Sequence, residues 1–347
     1  MASKPDYGQN AAALMGQKRG GYFFQEVFRS LNLNIGGPTY FSPQIPVNNP
    51  IIAAILRVNI ALTVGTGATP VTDGVNAIVK ALTFRSDKNE FFLKNVPGRG
   101  LYLLNWIENQ TPFPYDSIAA ANGTYSALFL IPFADFNTRH PYDTIVDPQG
   151  RGYKSMELDV TLGTVADLLG TVGTASITAS CDLDFIITGE TVLEPGLKPR
   201  YVREIGGIAP VNLANQLYAA LERSPDLAYK GILVNVSNGA TIGVPFTGSN
   251  ANSALTDISL VTNVTYPFKS IPYALYNYMM GGRVTGLWPT GTVYLDVLGY
   301  TQKAQDGSYQ GALYSAKYGK LEIDVTPNTL STSQLSLVYS GLRDLKP

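Results

Sequence analysis

The feature that most constrains this chain is an internal repeat. Residues 156–164, MELDVTLGT, align without gaps to residues 321–329, LEIDVTPNT, which lie 165 positions later. At the same spacing, residues 128–130 align with residues 293–295, and each triplet belongs to an alternating segment that precedes the repeated one. Because one spacing relates two separate segments, the repeat predicts a duplicated domain. A chain of 347 residues suits two domains of about 150 to 170 residues each.

The pattern along the chain predicts short β-strands joined by turns. Charged residues make up only 15% of the sequence, whereas the chain holds 34 glycines and 22 prolines, a balance unlike that of helical proteins. Apolar or alternating runs indicate the strands. In the first half they are residues 51–64, 78–85, 90–93, 100–106, 125–133, 155–162 and 177–188. In the second half they are residues 231–236, 256–266, 292–300, 320–325 and 334–340. We therefore expect an all-β protein.

The N-terminal segment has the pattern of an amphipathic helix. Four apolar residues within 22–31 recur at positions i, i+3, i+4 and i+7, and three cations flank or interrupt them. The apolar residues are Phe24, Val27, Phe28 and Leu31, and the cations are Lys18, Arg19 and Arg29. A helix of this kind can lie on an anionic membrane surface, with these seven residues facing the lipid. It can equally cover the core of its own domain, and the sequence leaves both interpretations open.

Proline and glycine punctuation divides the chain into four parts. Residues 193–210 hold three prolines and three glycines, which is typical of a linker between domains. Four apolar residues after this linker recur at helical spacing and predict a helix, namely Leu213, Leu217, Ala220 and Leu221. The expected parts are an N-terminal arm with its amphipathic helix (1–37), a first domain (38–192), a linker with its helix (193–228) and a second domain (229–347).

The order and spacing of these segments resemble the double jelly-roll major capsid proteins of tailless icosahedral bacteriophages with an internal membrane, such as tectiviruses, corticoviruses and finnlakeviruses. In the first half the resemblance rests on residues 50–64 (PIIAAILRVNIALTV) and 126–134 (SALFLIPFA), followed by a polar loop and residues 156–161. In the second half it rests on residues 289–296 (PTGTVYLD) and 318–329 (YGKLEIDVTPNT). The resemblance implies two tandem eight-stranded jelly-roll sandwiches with a short N-terminal helix and a few short connecting helices.

For function, the resemblance implies a self-assembling structural protein. Three copies would form a pseudo-hexagonal capsomer that tiles an icosahedral shell over an internal membrane, with the N-terminal segment facing that membrane. The expected partners are further copies of the chain, minor capsid and penton proteins, and the viral inner membrane. The chain would be synthesised in the host cytoplasm and would end in the capsid shell of the virion.

Charge and cysteine content argue against several kinds of partner and site. A net charge of −1 gives the chain no electrostatic reason to bind nucleic acid directly. The single cysteine, Cys181, excludes an internal disulfide and a multi-thiolate metal site, and its apolar surroundings predict a buried thiol. The sequence has neither the apolar core of a signal peptide nor a run of about 18 apolar residues that could span a bilayer.

Cofactors and catalysis find little support in the sequence. No cofactor is indicated, although Asp135, Asp143 and Asp147 crowd one loop and leave structural calcium open. The single histidine, His140, stands before Pro141 in a segment typical of a turn, and no phosphate-binding, zinc-helix or nucleophile-elbow motif occurs. Two other classes remain. A carbohydrate-binding or adhesin β-sandwich also fits the 21 tyrosines, and a glycoside hydrolase needs two facing carboxylates that no spacing here selects.

Overall fold

The structure, a computed structural model, consists mainly of β-strands. It describes residues 22–42, 49–64, 67–70, 74–109, 111, 122–135, 141–189, 199–238, 255–263, 268–272, 291–297, 312–327 and 333–344. In the first half the strands are β1 (Tyr22–Leu33), β2 (Pro38–Phe41), β3 (Ile51–Thr63), β4 (Thr69–Pro70), β5 (Val79–Ser86), β6 (Phe91–Val96), β7 (Gly123–Pro132), β8 (Met156–Leu162), β9 (Leu169–Thr171) and β10 (Ser176–Thr188).

The second half continues this β architecture. Its strands are β11 (Tyr201–Asn212), β12 (Tyr218–Ala220), β13 (Leu227–Asn238), β14 (Leu255–Thr262), β15 (Phe268–Pro272), β16 (Thr292–Asp296), β17 (Leu313–Tyr314), β18 (Leu321–Pro327) and β19 (Ser333–Asp344). Among the described residues the α-helices are α1 (Gly74–Ala77), α2 (Gly98–Asn109) and α3 (Pro148–Arg151). Single 3₁₀ turns span Pro141–Thr144, Val165–Asp167 and Ser315–Lys317.

The strands of the first half form a sandwich of two four-stranded layers. One layer has the order β1-β10-β3-β7 and the other the order β2-β8-β5-β6. Side chains along β8 alternate between buried and partly exposed, as expected for a strand with one face on a core. Rings from both layers meet in that core, since Phe84 of β5 lies 6.0 Å from Phe133 and 6.4 Å from Phe185 of β10, measured between ring centroids.

The strands of the second half form a sandwich with the same order. Its layers are β11-β19-β13-β16 and β12-β18-β14-β15. Each of these eight strands therefore has a counterpart in the first sandwich. The repeated segments of the sequence, β8 and β18, occupy equivalent places in the two sandwiches. β7 and β16, which hold the second pair of aligned residues, also correspond. The expected pair of tandem eight-stranded sandwiches is confirmed.

A continuous sheet joins the two sandwiches. β6 pairs in parallel with β11 through Ile205↔Leu93 and Gly206↔Lys94, so that a layer of the first sandwich runs directly into a layer of the second. Residues 201–212 thus form a central strand of the joined sheet, whereas the sequence predicted a linker over residues 193–210. Glycines stand there because a Cβ at Gly206 would collide with the ring of Tyr339, and one at Gly207 with the carbonyl oxygen of Asn95.

Helix α2 lies where a strand was expected over residues 100–106. Leu101, Leu104 and Asn105 are buried at helical spacing, and the helix packs on β5 and β7 of the first sandwich and on β19 of the second. A Cβ at Gly98 would crowd Val79, and one at Gly100 would crowd Val338, so the two glycines allow the helix to approach both sandwiches closely. The strand expected here is wrong, and the helix connects the two sandwiches instead.

The N-terminal helix expected over residues 22–31 is also wrong, because this segment forms strand β1. β1 pairs antiparallel with β10 from Tyr22↔Thr188 to Leu33↔Ala179. Two register shifts interrupt the pairing, and Ser30 has a φ of 52°. Bulges of this kind disturb the two-residue alternation of a strand, so the apolar residues recur at a spacing that resembles a helix.

The helix expected over residues 213–221 is replaced by a turn and a short strand. The Asn212 side chain accepts a hydrogen bond from the backbone N–H of Ala214 at 2.9 Å, which favours a turn over a continued helix. β12 follows and pairs with β18 through Tyr218↔Asp324 and Ala220↔Glu322. Pairing with a strand about a hundred residues later therefore overrides the local helical spacing.

Candidate functional site and assembly surfaces

A fully buried arginine lies at the junction of the two sandwiches. β11 places Arg203 there, and the last turn of α2 places the carboxylate of Glu108 opposite it. Arg203 Nη2 donates to Glu108 Oε2 at 2.7 Å, and Nη1 donates to the carbonyl oxygen of Ala134 at 3.1 Å. The hydroxyl of Tyr294 on β16 donates to Glu108 Oε1 at 2.7 Å. One carboxylate of the first sandwich is thus held by a cation and a hydroxyl of the second.

A second buried ion pair repeats this arrangement. Asp135 follows β7 of the first sandwich, and Lys230 on β13 of the second donates to its Oδ2. Both side chains are almost completely buried. In both pairs the first sandwich supplies the acid and the second supplies the base. No local sequence motif reveals these two ion pairs, because the two residues of each pair stand about a hundred positions apart in the chain.

The three aspartates that the sequence suggested as possible calcium ligands each contact a different partner. Asp135 pairs with Lys230, whereas Asp147 caps α3 by accepting a hydrogen bond from the N–H of Gly150 at 3.0 Å. Asp143 lies 3.9 Å from the guanidinium of Arg200. Within the described residues, no group of three or more histidines, cysteines, aspartates or glutamates is placed to hold a metal ion. His140 lies outside the described residues.

Arg343 on β19 is the centre of a third charged cluster. It donates to both oxygens of Glu204 at 2.7 and 2.9 Å, to Asp226 at 2.8 Å and to Glu222 at 3.2 Å. Lys94 on β6 donates to the other oxygen of Glu222 at 2.6 Å, which connects the cluster to the first sandwich. The bidentate contact with Glu204 fixes the guanidinium in both distance and direction.

The surroundings lower the pKa of two of these carboxylates, Glu222 and Asp226. Burial alone would raise the pKa of Glu222, but hydrogen bonds and charges from Lys94 and Arg343 outweigh it, and the pKa lies below the ordinary value. The pKa of Asp226 is lowered against burial in the same way by Ser224 and Arg343. A pKa held below the ordinary carboxyl range suits a permanent ion pair and does not suit a group that exchanges protons near neutral pH.

The charged clusters fix the orientation of the two sandwiches. Burying two charges costs desolvation free energy that their attraction roughly offsets, so such a pair adds little net stability. Removing one partner is costly, however, because it leaves the other charge buried and unpaired. Any rotation of one sandwich against the other would separate Arg203 from Glu108 and Lys230 from Asp135. The arrangement therefore penalises every relative orientation except this one.

Of the seven residues proposed to face a membrane, the five that the structure describes differ in burial and contacts. Val27 and Phe28 pack against the core, and the Phe28 ring lies 5.3 Å from that of Phe41. Arg29 donates to Asp184 at 2.6 Å across the β1–β10 pair. Phe24 is 73% exposed, and Leu31 is also exposed. Lys18 and Arg19 lie outside the described residues.

Two further sequence expectations concern the thiol and a membrane span. Cys181 on β10 is buried in the core, and burial raises the pKa of its thiol to about 12. The expected buried thiol is therefore confirmed. Among the helices of the described residues, none is long and apolar enough to cross a bilayer.

The outer faces of two equivalent strands present a surface that sequence reasoning missed. On β8, Asp159 stands opposite Tyr40 of β2 and Thr83 of β5, and residues opposite one another share a face of the sheet. On β18, Asp324 stands opposite Tyr218 of β12 and Ser259 of β14. Each sandwich thus carries a tyrosine, an aspartate and a hydroxyl residue in the same order. The repeat contained the two aspartates, but only strand pairing reveals their tyrosine neighbours.

Comparisons with known proteins find the fold but no sequence relative. No protein-family model and no curated protein sequence matches the chain. Among solved structures, the STIV major capsid protein matches with a TM-score of 0.63 and 16% identity, over 93% of this chain and 97% of that chain. The fold is a double jelly roll. The expectation drawn from the resemblance is therefore confirmed for the fold, and each sandwich is one jelly roll.

Two further double jelly-roll structures give the same result. The capsid of the virus PBCV-1 matches with a TM-score of 0.62 and 11% identity, over 94% of each chain. The major capsid protein P2 of bacteriophage PM2 matches with a TM-score of 0.51 and 12% identity, over 94% of this chain and 98% of that chain. At such low identity the likeness concerns the course of the backbone, and function has to be argued separately.

Proposed function

We propose that this chain is a viral major capsid protein, a structural protein that builds an icosahedral shell by self-association. The observation that carries the proposal is the extent of the likeness, which spans both jelly rolls and nearly the full length of both chains in each comparison. A match to one jelly roll alone would be compatible with many β-sandwich proteins of other function. Two jelly rolls joined in this order are a far more specific arrangement.

The junction supports a role as a rigid tile. The parallel pairing of β6 with β11 and the buried pairs Arg203–Glu108 and Lys230–Asp135 couple the two jelly rolls. We propose that three chains associate so that six jelly rolls form a pseudo-hexagonal capsomer, in which a fixed angle between the two jelly rolls sets the shape. For the domain boundaries, we propose that the first jelly roll begins at β1 and the second at β11, since these strands open the two equivalent sheets.

The proposed membrane contact moves to the start of β1. Phe23 and Phe24 are both exposed at this end of the strand, and Lys18 and Arg19 precede them in the sequence. Exposed aromatic rings next to cations favour the interface of an anionic bilayer. We propose that this end faces the inner membrane of the virion, while Val27 and Phe28 belong to the jelly-roll core. Other partners, the minor capsid and penton proteins, are proposed on the capsid role alone.

Vesicle binding tests the membrane contact. Phe23→Ser with Phe24→Ser should reduce cosedimentation with anionic vesicles by about tenfold, because two aromatic anchors are lost while the pairing of β1 with β10 is kept. Ile35→Ser is the control, since it removes an exposed apolar side chain outside the start of β1 and outside every strand that pairs with it. Equal binding by the wild type and the double variant would contradict the membrane contact and leave the capsid role intact.

The mass in solution tests the capsid proposal. The chain has a mass of 37.4 kDa, and light scattering of the purified protein should give three times this value, or larger shell-like particles in electron micrographs. A monomer at every concentration up to about 100 µM, together with affinity for an immobilised glycan, would contradict the proposal and favour a carbohydrate-binding module. We propose no catalytic activity for the chain.

A further inference from the structure

The repeated strands preserve their outer faces better than their inner faces. By alternation, three polar residues of β8 and three of β18 lie on the outer face, where Glu322 is buried, and all three pairs are identical. The outward pairs are Glu157 and Glu322, Asp159 and Asp324, and Thr161 and Thr326. The inward pairs are Met156 and Leu321, Leu158 and Ile323, Val160 and Val325, and Leu162 and Pro327, of which one is identical. Packing requires apolar residues inside, but the fold does not require identical polar residues outside.

The two aspartates define two equivalent patches on the molecule. Tyr40, Thr83 and Asp159 form the first Tyr–Asp patch, on the first jelly roll. The second Tyr–Asp patch has Tyr218, Ser259 and Asp324 in the same positions on the second jelly roll. The tyrosines are 74% and 44% exposed. Exposed tyrosine combined with polar groups is typical of surfaces that contact another protein.

The carboxylates of Asp159 and Asp324 are incompletely solvated and hydrogen-bonded in the isolated chain. In each, Oδ1 is buried without a hydrogen-bond partner, although the residue is partly exposed. Burial raises the pKa of Asp159, and burial together with the neighbouring Glu322 raises that of Asp324. An incompletely solvated carboxylate destabilises the surface that carries it, and at Asp324 the charge of Lys320 offsets this only in part. Because this cost recurs at both equivalent positions, a cation supplied from outside the chain would relieve it at both.

A complementary surface lies on the other layer of the first jelly roll. Arg57 on β3 is 54% exposed and stands directly opposite Leu128 on β7, which is also exposed. The neighbouring carboxylate of Asp182 lies 3.9 Å from the guanidinium, but it already accepts hydrogen bonds from the N–H of Ser30 and from Asn59. Arg57 is therefore available to a second carboxylate. We call Arg57 and Leu128 the Arg–Leu face.

We propose that a Tyr–Asp patch of one copy of this chain docks on the Arg–Leu face of the next. The guanidinium would meet the aspartate, and the leucine and the arginine stem would cover the tyrosine ring. Two different surfaces then meet at each contact, so copies associate head to tail and form a ring when the rotation between them closes. Each chain has two Tyr–Asp patches and one Arg–Leu face. The Arg–Leu face of the next copy can therefore dock on either jelly roll. The inference rests on the proposed function, since it names the surfaces through which the copies associate.

Self-association of charge variants tests the inference. Asp159→Asn with Asp324→Asn should raise the concentration at half-assembly by at least about tenfold, measured by light scattering on the full chain. Glu26→Gln with Asp344→Asn is the matched control, because it removes the same charge from exposed carboxylates outside the patches. Arg57→Glu should weaken association to a similar degree. Combining Arg57→Glu with Asp159→Lys or with Asp324→Lys should restore it at the patch that is used.

The outcomes separate the inference from the proposed function. If the wild type associates and the double asparagine variant associates equally well, the docking surfaces are wrong and the capsid role stands. If neither lysine variant restores the association lost in Arg57→Glu, the Arg–Leu face is not the partner and the inference is refuted. If the wild type does not associate at all, the proposed function itself fails. Thermal unfolding controls for folding, since a fall in association matched by a fall in stability of the asparagine variant also refutes the inference.

Discussion

Arg203→Met should destabilise the folded chain strongly. The substitution keeps most of the side-chain volume but removes the guanidinium that donates to Glu108 at 2.7 Å and to Ala134 at 3.1 Å. Glu108 is then left buried without its cationic partner, with the hydroxyl of Tyr294 among its remaining donors. Breaking a buried ion pair from one side costs about 3 to 5 kcal/mol. At an m-value of about 3 kcal/mol/M, the urea midpoint should fall by about 1 to 2 M.

Urea unfolding followed by tryptophan fluorescence measures this effect. All variants are compared at one protein concentration, because association stabilises the folded state by mass action. Arg85→Met is the matched control, since Arg85 forms an ion pair with Glu157 in which both side chains are exposed. Such a pair contributes at most about 1 kcal/mol. Glu108→Gln added to Arg203→Met should recover about 2 kcal/mol, because it removes the unpaired buried charge.

Equal midpoints for Arg203→Met and Arg85→Met would refute the argument. They would mean that the junction relaxes or admits water when the guanidinium is removed, so that Glu108 is not left unsolvated. A double variant as unstable as Arg203→Met would refute it as well, because the loss would then come from packing and not from charge.

Three further predictions follow from close packing, burial and charge. Gly207→Ala places a Cβ against backbone of a neighbouring strand and should cost about 2 kcal/mol in urea unfolding, whereas Gly37→Ala, with open space around it, should be neutral. Native Cys181, whose pKa burial raises to about 12, should react with a disulfide reagent at pH 8 roughly a thousandfold more slowly than in the unfolded chain. Against burial, cations lower the pKa of Glu222, so stability should decrease as pH falls below about 4, and Arg343→Met should weaken that dependence.

Most strands could be predicted because their signal is local. β3, β5, β7, β8 and β10 have continuous apolar or alternating side chains, and the structure places them within a few residues of the predicted bounds. The repeat was equally informative, since β8 and β18 proved to be equivalent strands. These inferences require only that one face of a strand be apolar, which the sequence shows directly.

Helix α2 shows why a candidate site can escape a sequence pattern. Its buried side chains at helical spacing include Leu101, Leu104, Asn105 and Glu108, and two of these four are polar. Polar residues on the buried face interrupt the apolar stripe by which a helix is recognised in a sequence. Glu108 is buried because Arg203 lies opposite it, almost a hundred residues later in the chain. A local sequence pattern does not include Arg203, so it would predict that Glu108 is exposed to solvent.

The sequence by itself determined the all-β class, the duplication and most strands, because these follow from alternation, composition and one repeated spacing. Only the tertiary structure decided that residues 22–33 and 201–212 form strands, since each depends on hydrogen bonds with a distant strand, β10 for the first and β19 for the second. It also decided which charges are buried, and which tyrosines stand beside Asp159 and Asp324. Pairing between distant strands sets these neighbours, and no local pattern in the chain encodes them.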